Sequence, residues 1–279
     1  MAELPNVLLN LSNRPENVLL VREVLTGVAE AVELVGNELN DIRTAVTEAC
    51  NNVVLHAYGG GEGPLEIEVY AAPSTIEVVV RDHGTGIRPR SPASEDTAYG
   101  LGLPVIQALV DRVEFKGAMD NGTEVRMAFA THGARALEPS PAEEIDLPGA
   151  MQAELDTAVA LIITPTRLAR TILPRVLSAL AARAHFSTDR ISDVQLVADA
   201  LAAQVPRSIS GRQLGIGIGV EAGQLELSVA PLRAGSASQL IVDSAVEGLG
   251  QVIVKLVDGH RVASVGADEI LAVQIKGRR

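Results

Sequence analysis

The sequence predicts an α/β protein built as a two-layer sandwich of helices on a sheet, present twice in tandem. Three observations predict it. Helical and strand periodicities alternate within stretches of about a hundred residues, which favours one packed layer of each. An acidic, Pro-rich segment (Glu138, Pro139, Ser140, Pro141, Glu143, Glu144, Asp146, Pro148, Gly149) interrupts the chain near its middle and has the composition of a linker. The parts on either side of it resemble each other. Segment 166–205 aligns without a gap with 14–53, pairing Val24 with Val176, Leu25 with Leu177, Ala29 with Ala181, Asp41 with Asp193 and Val53 with Val205. The expected division is 1–135, a linker over 136–156, and 157–279.

The elements follow in order. Helices are expected over 15–33, 41–56 and 101–111. In the second of these, Ile42, Ala45, Val46, Ala49 and Val53 recur at helical spacing and make an apolar stripe. Strands are expected over 65–71, 75–81, 112–118 and 123–130, where apolar residues alternate or β-branched residues run together. The later matches keep the same order. Leu65–Val69 pairs with Leu214–Ile218, Ile76–Val80 with Leu225–Val229, Gly100-Leu101-Gly102 with Gly248-Leu249-Gly250, and Leu109-Val110-Asp111 with Leu256-Val257-Asp258. Chance agreement of two α/β patterns explains one such match, not an ordered series, so each half reads as helix, helix, strand pair, loop, helix, strand pair.

Composition narrows the function. With 47% hydrophobic residues but no Trp, three Phe and three Tyr, the core must be aliphatic. No apolar run approaches the ~18 residues of a membrane span, and the first residues lack a signal-peptide pattern. Cys50 is the single cysteine, which excludes an internal disulfide and fits a reducing cytoplasm. A net charge of -12 speaks against nucleic acid and against an anionic membrane surface as partners.

Four boxes carry chemistry. On the helix 41–56, Thr44, Glu48, Asn52 and His56 lie four apart and form a polar stripe beside the apolar one. Most such stripes are solvated faces, yet Asn51-Asn52 costs helix propensity. The Asn52 carbonyl oxygen suits Mg²⁺, a hard ion that takes few protein ligands. Glu48, one turn away, is placed to accept a proton. Asp82-His83-Gly84-Thr85-Gly86 follows the strand residues Val78, Val79 and Val80. Alone it reads as a turn; functionally it offers a carboxylate at a strand end to an exocyclic amine such as adenine's, with glycines that permit close approach. Gly100-Leu101-Gly102 opens an apolar helix, an arrangement that binds phosphate through free N–H groups. Between them, Arg88 to Tyr99 lacks periodicity, as a lid does, and Arg88 and Arg90 read either as phosphate contacts or, more simply, as solvated loop charges. Cys50 and the histidines show no metal-ligand spacing.

Together these boxes resemble the GHKL ATPase superfamily with its Bergerat ATP-binding fold, and within it the branch of anti-sigma-factor serine kinases. Asp41 to Ala49 followed by Asn52, His56 and Tyr58 is similar to that branch's N box. Asp82-His83-Gly84-Thr85-Gly86-Ile87 is similar to the first glycine box, Gly100-Leu101-Gly102-Leu103 to the second, and Gly122-Thr123 to the terminal Gly-Thr. The resemblance covers about residues 8–131. It implies Glu48 as catalytic base and Asn52 as Mg²⁺ ligand. It implies Asp82 on the adenine amine with Thr123 in the same network, Gly84 and Gly86 around the base, and Gly100 and Gly102 near the phosphates. It also implies Arg22, on the first helix, as a partner contact. ATP and Mg²⁺ are the implied cofactors; a sigma factor and an anti-anti-sigma protein with a STAS fold, phosphorylated on Ser, are the implied partners. Tyr99 departs from the basic residue common before the second glycine box, and the lid is short.

In the second half Glu48 is replaced by Ala200, Asn52 by Gln204, Asp82 by Pro231 and Gly84 by Arg233. The base, metal ligand and adenine anchor are missing while the apolar framework persists, so this half is expected to lack a nucleotide site. Two roles for it stand open: an intramolecular pseudo-dimer in which it replaces a second protomer, or a tethered domain with its own partner. Two other functions were weighed. A histidine kinase core needs a helical hairpin with a phospho-acceptor His before the N box, and the residues there contain no His. A non-catalytic nucleotide sensor has no need of Glu48.

Overall fold

The computed structural model describes residues 4–34, 36–86, 102–117, 122–132, 134, 135, 137, 159–246 and 250–277. The chain divides into two compact units, Pro5–Pro139 and Ser140–Arg279. The expected linker lies outside the described residues apart from Leu137.

The first unit runs β1 (Val7–Ser12), α1 (Asn17–Ala31), α2 (Asn37–Asn52), a π-helical turn (Val53–Ala57), β2 (Pro64–Ala72), β3 (Thr75–Asp82), α3 (Gly102–Leu109), β4 (Arg112–Gly117) and β5 (Thr123–Ala130). Its sheet has the order β1-β2-β3-β5-β4, antiparallel throughout. β1 is an element that sequence reasoning missed. Its Val7, Leu9 and Leu11 alternate inward and are buried, but six residues broken by Asn10 are too short a signal before a helix. β2 and β3 form a hairpin closed by Pro73 and Ser74, with Ala72 opposite Thr75.

Pleating sorts the side chains of this sheet into two faces. Leu65, Ile67 and Val69 from β2, Ile76, Val78 and Val80 from β3, and Val125, Met127 and Phe129 from β5 point to the helices and are buried. They meet Leu20, Val21, Val24 and Val28 of α1 and the stripe Ile42, Ala45, Val46 and Ala49 of α2. Each such side chain contributes roughly 1.5–3 kcal/mol. Truncating one fully buried example, Ile67→Ala, should cost about 2–5 kcal/mol through the cavity it leaves. The other face is an ionic ladder. Arg81 bonds Glu68 and Glu124, both at 2.9 Å, Lys116 reaches Glu124 at 3.1 Å, and Arg126 pairs with Glu77. Burial alone pulls the Arg81 guanidinium down, but Glu124 and Glu68 outweigh it and hold it above its ordinary value.

α2 does not continue to residue 56 as a regular helix. It stops at Asn52, and the next turn is π-wound, which is wider than 3.6 residues per turn and often marks a functional site. Thr44, Glu48 and Asn52 therefore share one line, and His56 leaves it.

The second unit has β6 (Val159–Ile163), a 3-10 turn (Thr166–Leu168), α4 (Ala169–Arg183), α5 (Thr188–Ser208), β7 (Leu214–Glu221), β8 (Gln224–Arg233), α6 (Ser236–Asp243), a short ribbon β9 (Ala245–Val246) and β10 (Gly250–Gln251), α7 (Val252–Leu256), β11 (Gly259–Val265) and β12 (Asp268–Lys276). The sheet order β6-β7-β8-β12-β11 repeats that of the first unit, again antiparallel. A shared detail marks the end of both. Asp111 Oδ2 accepts the Ala130 N–H at 2.6 Å, and Asp258 Oδ2 accepts the Lys276 N–H at 2.8 Å. The first unit's counterpart of α6 lies outside the described residues, and the helix ends differ. α5 carries Pro206 in its last turn and closes in α-helical geometry, with Ile209 N–H on Val205 O at 3.1 Å.

Among the described residues, no helix is long and apolar enough to cross a membrane.

Candidate functional site

The pleat that builds the core also builds the site. Ile76, Val78 and Val80 face the helices, so Asp82, next in phase on β3, does too. Directly opposite it on β5 is Thr123, and on β2 Leu65. Residues opposed in an antiparallel pair have Cβ atoms about 5 Å apart, so Asp82 and Thr123 are neighbours at the end of the sheet. Asp82 is 4% exposed, a severe setting for a carboxylate. Its Oδ1 accepts the Gly84 N–H at 2.9 Å. No described group hydrogen-bonds Oδ2, which leaves an acceptor for an amine.

The glycines answer a local need. A Cβ on Gly84 would stand 2.1 Å from the Ala57 carbonyl oxygen, and one on Gly122 would stand 2.0 Å from that of Asp82. The two loops interlock through Thr85 N–H on Ala57 O at 2.9 Å and Gly122 N–H on Gly84 O at 3.1 Å. Gly122 and Gly86 also have φ of 70° and 71°, where other residues are strained. The close approaches seen are thus to the chain's own backbone, at the π turn and the end of β3. The π turn delivers the Ala57 carbonyl to this contact.

Tyr58 holds the same junction and was read only as part of a motif. Its hydroxyl donates to Pro64 O at 2.5 Å and accepts the His83 N–H at 2.9 Å. A Cβ at Gly63 would lie 2.2 Å from the ring. Burial raises the Tyr58 phenol above its ordinary value, the His83 N–H opposes that, and Asp82 and Glu66 reinforce it, so it stays neutral and able to donate. The signal was present in Gly59-Gly60-Gly61 and Gly63, which free the chain to fold the ring under itself. His83 points to the opposite face, where Nε2 meets Glu66 Oε1 at 2.9 Å.

On α2 the apolar stripe is buried, while Glu48 and Asn52 are half-buried and neither side chain bonds a described residue. α2 packs against α3 and against β3 and β5, the strands that carry Asp82 and Thr123. Gly102 is the first residue of α3. Ile87, Arg88, Arg90, Tyr99 and Gly100 lie outside the described residues. Cys50 is fully buried, and burial pushes its thiol up to about 12, which removes it as a nucleophile. No group of three metal-ligating side chains occurs among the described residues. Arg22 is exposed on α1, one turn from Leu19, itself 49% exposed.

The sequence that builds this sheet end is similar to known proteins. Residues 11–129 match the histidine kinase-like ATPase domain. The anti-sigma F factor of Thermoanaerobacter sp. (strain X514) is 30% identical over 127 residues, which are 43% of this chain and 89% of that protein. The serine-protein kinase RsbW of Bacillus pumilus is 31% identical over 129 residues, 41% of this chain and 78% of the relative. RsbW of Bacillus subtilis (strain 168) is 30% identical over 135 residues, 44% and 83% of the two chains. The chain belongs to the histidine kinase-like ATPase family, in its anti-sigma kinase branch. The family match spans Arg22, Glu48, Asn52, Asp82, Gly84 and Thr123 and stays within the first unit.

The described residues fit the nucleotide that family uses. A buried carboxylate with one oxygen that no described residue bonds suits the adenine amine. The neutral Asn52 oxygen suits Mg²⁺, a hard ion that takes few protein ligands.

Proposed function

We propose that this protein is an ATP-dependent serine kinase and anti-sigma factor, which holds a sigma factor and phosphorylates a STAS-fold anti-anti-sigma protein on Ser. The observation that carries the reading is Asp82: a buried carboxylate at a sheet end, beside Thr123, with no described residue bonding its Oδ2. A carboxylate so placed is costly unless a donor completes it, and adenine's amine is such a donor. Gly84 and Gly122 fix its carbonyl and side chain through contacts that no larger residue permits.

Glu48 is the base in this reading. It takes the proton of the Ser hydroxyl as that oxygen bonds to the γ-phosphorus, while the bond from the γ-phosphorus to the β,γ-bridging oxygen breaks and ADP leaves. Glu48 is half-buried and bonds no described residue, which leaves it able to accept. Asn52, one turn on, would hold the Mg²⁺, whose charge neutralises the phosphates. Gly100 and Gly102 would receive the phosphates at the entrance to α3. Positioning and charge carry most of such a rate. Arg22 and Leu19, exposed together on α1, would meet the protein partner.

The test is phosphate transfer from Mg-ATP to a cognate STAS protein, with the modified Ser mapped by mass spectrometry. Glu48→Gln should bind ATP as the parent does and transfer phosphate ~10²–10⁴-fold more slowly, the usual scale of general-base loss. Transfer at the parent rate would remove Glu48 from this role. Absence of transfer to any STAS protein, with ATP binding intact, would favour a nucleotide-gated binder over a kinase.

A further inference from the structure

We propose that the second unit carries its own occupant where the first unit has its nucleotide site: helix α6 fills the cleft, Glu269 and Gln204 hold its two ends, and the unit is thereby closed independently of nucleotide. This rests on topology and side-chain contacts within the second unit and does not depend on kinase activity in the first.

The location comes from the shared order of elements. In the first unit the site is bordered by α2, α3, β3 and β5. Their counterparts are α5, α7, β8 and β12, and α6 packs against all four. It turns Ala237, Leu240 and Ile241 inward, 0%, 1% and 7% exposed, and the stripe continues into Ser244 at 1%. That i, i+3, i+4, i+7 spacing is a core-facing helix. The floor has changed to suit. Where Asp82 ends β3, the end of β8 presents Val229 and Leu232, and β12 adds Leu271 opposite Val229, all three buried. An apolar helix sits on an apolar floor.

Both ends of α6 are tied by residues at site positions. Asp111 and Asp258 make the same bond to Ala130 and Lys276, so counting back equally along β5 and β12 sets Glu269 level with Thr123. Glu269 reaches the helix N-terminus with both oxygens, Oε1 accepting the Gly235 N–H at 2.8 Å and Oε2 the Ala237 N–H at 3.0 Å. A helix N-terminus attracts anions through free N–H groups and its dipole; here the chain supplies the anion. At the other end Gln204, aligned with Asn52, donates from Nε2 to Asp243 O at 3.2 Å. Ser244 adds a bond from Oγ to Leu240 O at 2.5 Å, and its own carbonyl accepts the Val252 N–H at 2.8 Å. Glu269 and Gln204, at the positions of Thr123 and Asn52, are therefore not simple losses. They are the contacts of an internal substitute.

Hydrogen exchange by mass spectrometry on the full chain tests this, with and without Mg-ATP, on the parent, Glu269→Ala, Glu269→Gln and Gln204→Ala. In the parent, amides of 237–243 should exchange slowly and equally in both conditions, while Mg-ATP slows exchange in the first unit. Glu269→Ala should speed 237–243 at least tenfold and leave the first unit's response unchanged. Glu269→Gln, which keeps an acceptor of the same size, should lie between. If Glu269→Ala loosens β7 and β8 as well, Gln204→Ala decides, because it removes only the far tie: faster exchange confined to the C-terminal half of α6 supports the proposal, and parent-like exchange there overturns it. Fast exchange of α6 in the parent, or protection of 237–243 by Mg-ATP, also overturns it.

Discussion

Asp82 shows how much one residue depends on its neighbours' chemistry. Its side-chain direction is set by β3's alternation, its backbone by Gly122, and the next residue by Tyr58. Removing its charge should cost nucleotide binding more than folding. Asp82→Asn keeps the Oδ1 acceptor for Gly84 but opposes an N–H donor to the adenine amine. A hydrogen bond to a buried charge is worth about 1.5–3 kcal/mol, so calorimetry should show Kd for ATP raised at least tenfold with the melting temperature nearly kept. An unchanged Kd would remove Asp82 as the anchor. Gly84→Ala attacks the same site through sterics. The 2.1 Å approach to Ala57 O leaves no room, and both contacts are backbone, so the π turn must shift. We expect a loss of about 1–3 kcal/mol in denaturant unfolding, and weaker ATP binding at temperatures where the variant is folded. Tyr58→Phe is gentler. It strands the His83 N–H and should cost roughly 1 kcal/mol, with the melting temperature as readout.

At the scale of elements, the β2-β3-β5 sheet separates two kinds of stabilisation. The inner face is apolar except at its end, where Asp82 and Thr123 stand. The outer face titrates. Burial raises the Glu124 carboxyl, but bonds from Arg81 and Lys116 outweigh it and hold it below its ordinary value. A carboxyl whose folded value is depressed stabilises the fold above its unfolded value, near 4.5, and loses that contribution as pH falls through the folded value. The parent should therefore lose stability below about pH 4.5. Glu124→Gln should lower stability by roughly 1 kcal/mol at pH 7, as partly exposed charged bonds do, and flatten the acid limb. Melting curves from pH 7 to 3 decide it; identical slopes for parent and variant would mean the ladder contributes nothing. α2 and α5 make a second contrast. One ends in a π turn that delivers a carbonyl to the first glycine box, and the other runs on through Pro206 with no such box to meet.

For the whole molecule, the two units should answer ATP differently. Asp82, Gly84, Glu48 and Asn52 belong to the first, and Pro231, Arg233, Ala200 and Gln204 stand in the second. Titration calorimetry on the full chain should give one ATP per chain. At an ATP concentration of 100 Kd, binding should stabilise the first unit by about 2.7 kcal/mol and leave the unfolding of the second in place. Two equivalent sites, or equal shifts of both transitions, would contradict this.

Much of this was legible in the sequence because its signals are local. The stripe Ile42, Ala45, Val46, Ala49 and Val53 fixed a helix and its buried side by periodicity alone. The run Val78, Val79 and Val80 put Asp82 at a strand end. The N box and glycine boxes named the family by their order. What tertiary structure decided is what depends on contacts between distant segments. β1 is a strand because β2 lies beside it, not because six residues insist on it. The helix after Asn52 is π-wound where its last carbonyl is claimed by Thr85, almost thirty residues later. Gly84 and Gly122 are glycines because Ala57 and Asp82 come within about 2 Å of where a side chain would be. In the second unit, sequence reported only missing ligands at Pro231 and Gln204. Hydrogen bonding from Glu269 and Gln204 to α6 joins residues tens of positions apart, and no local pattern encodes a partner at that distance.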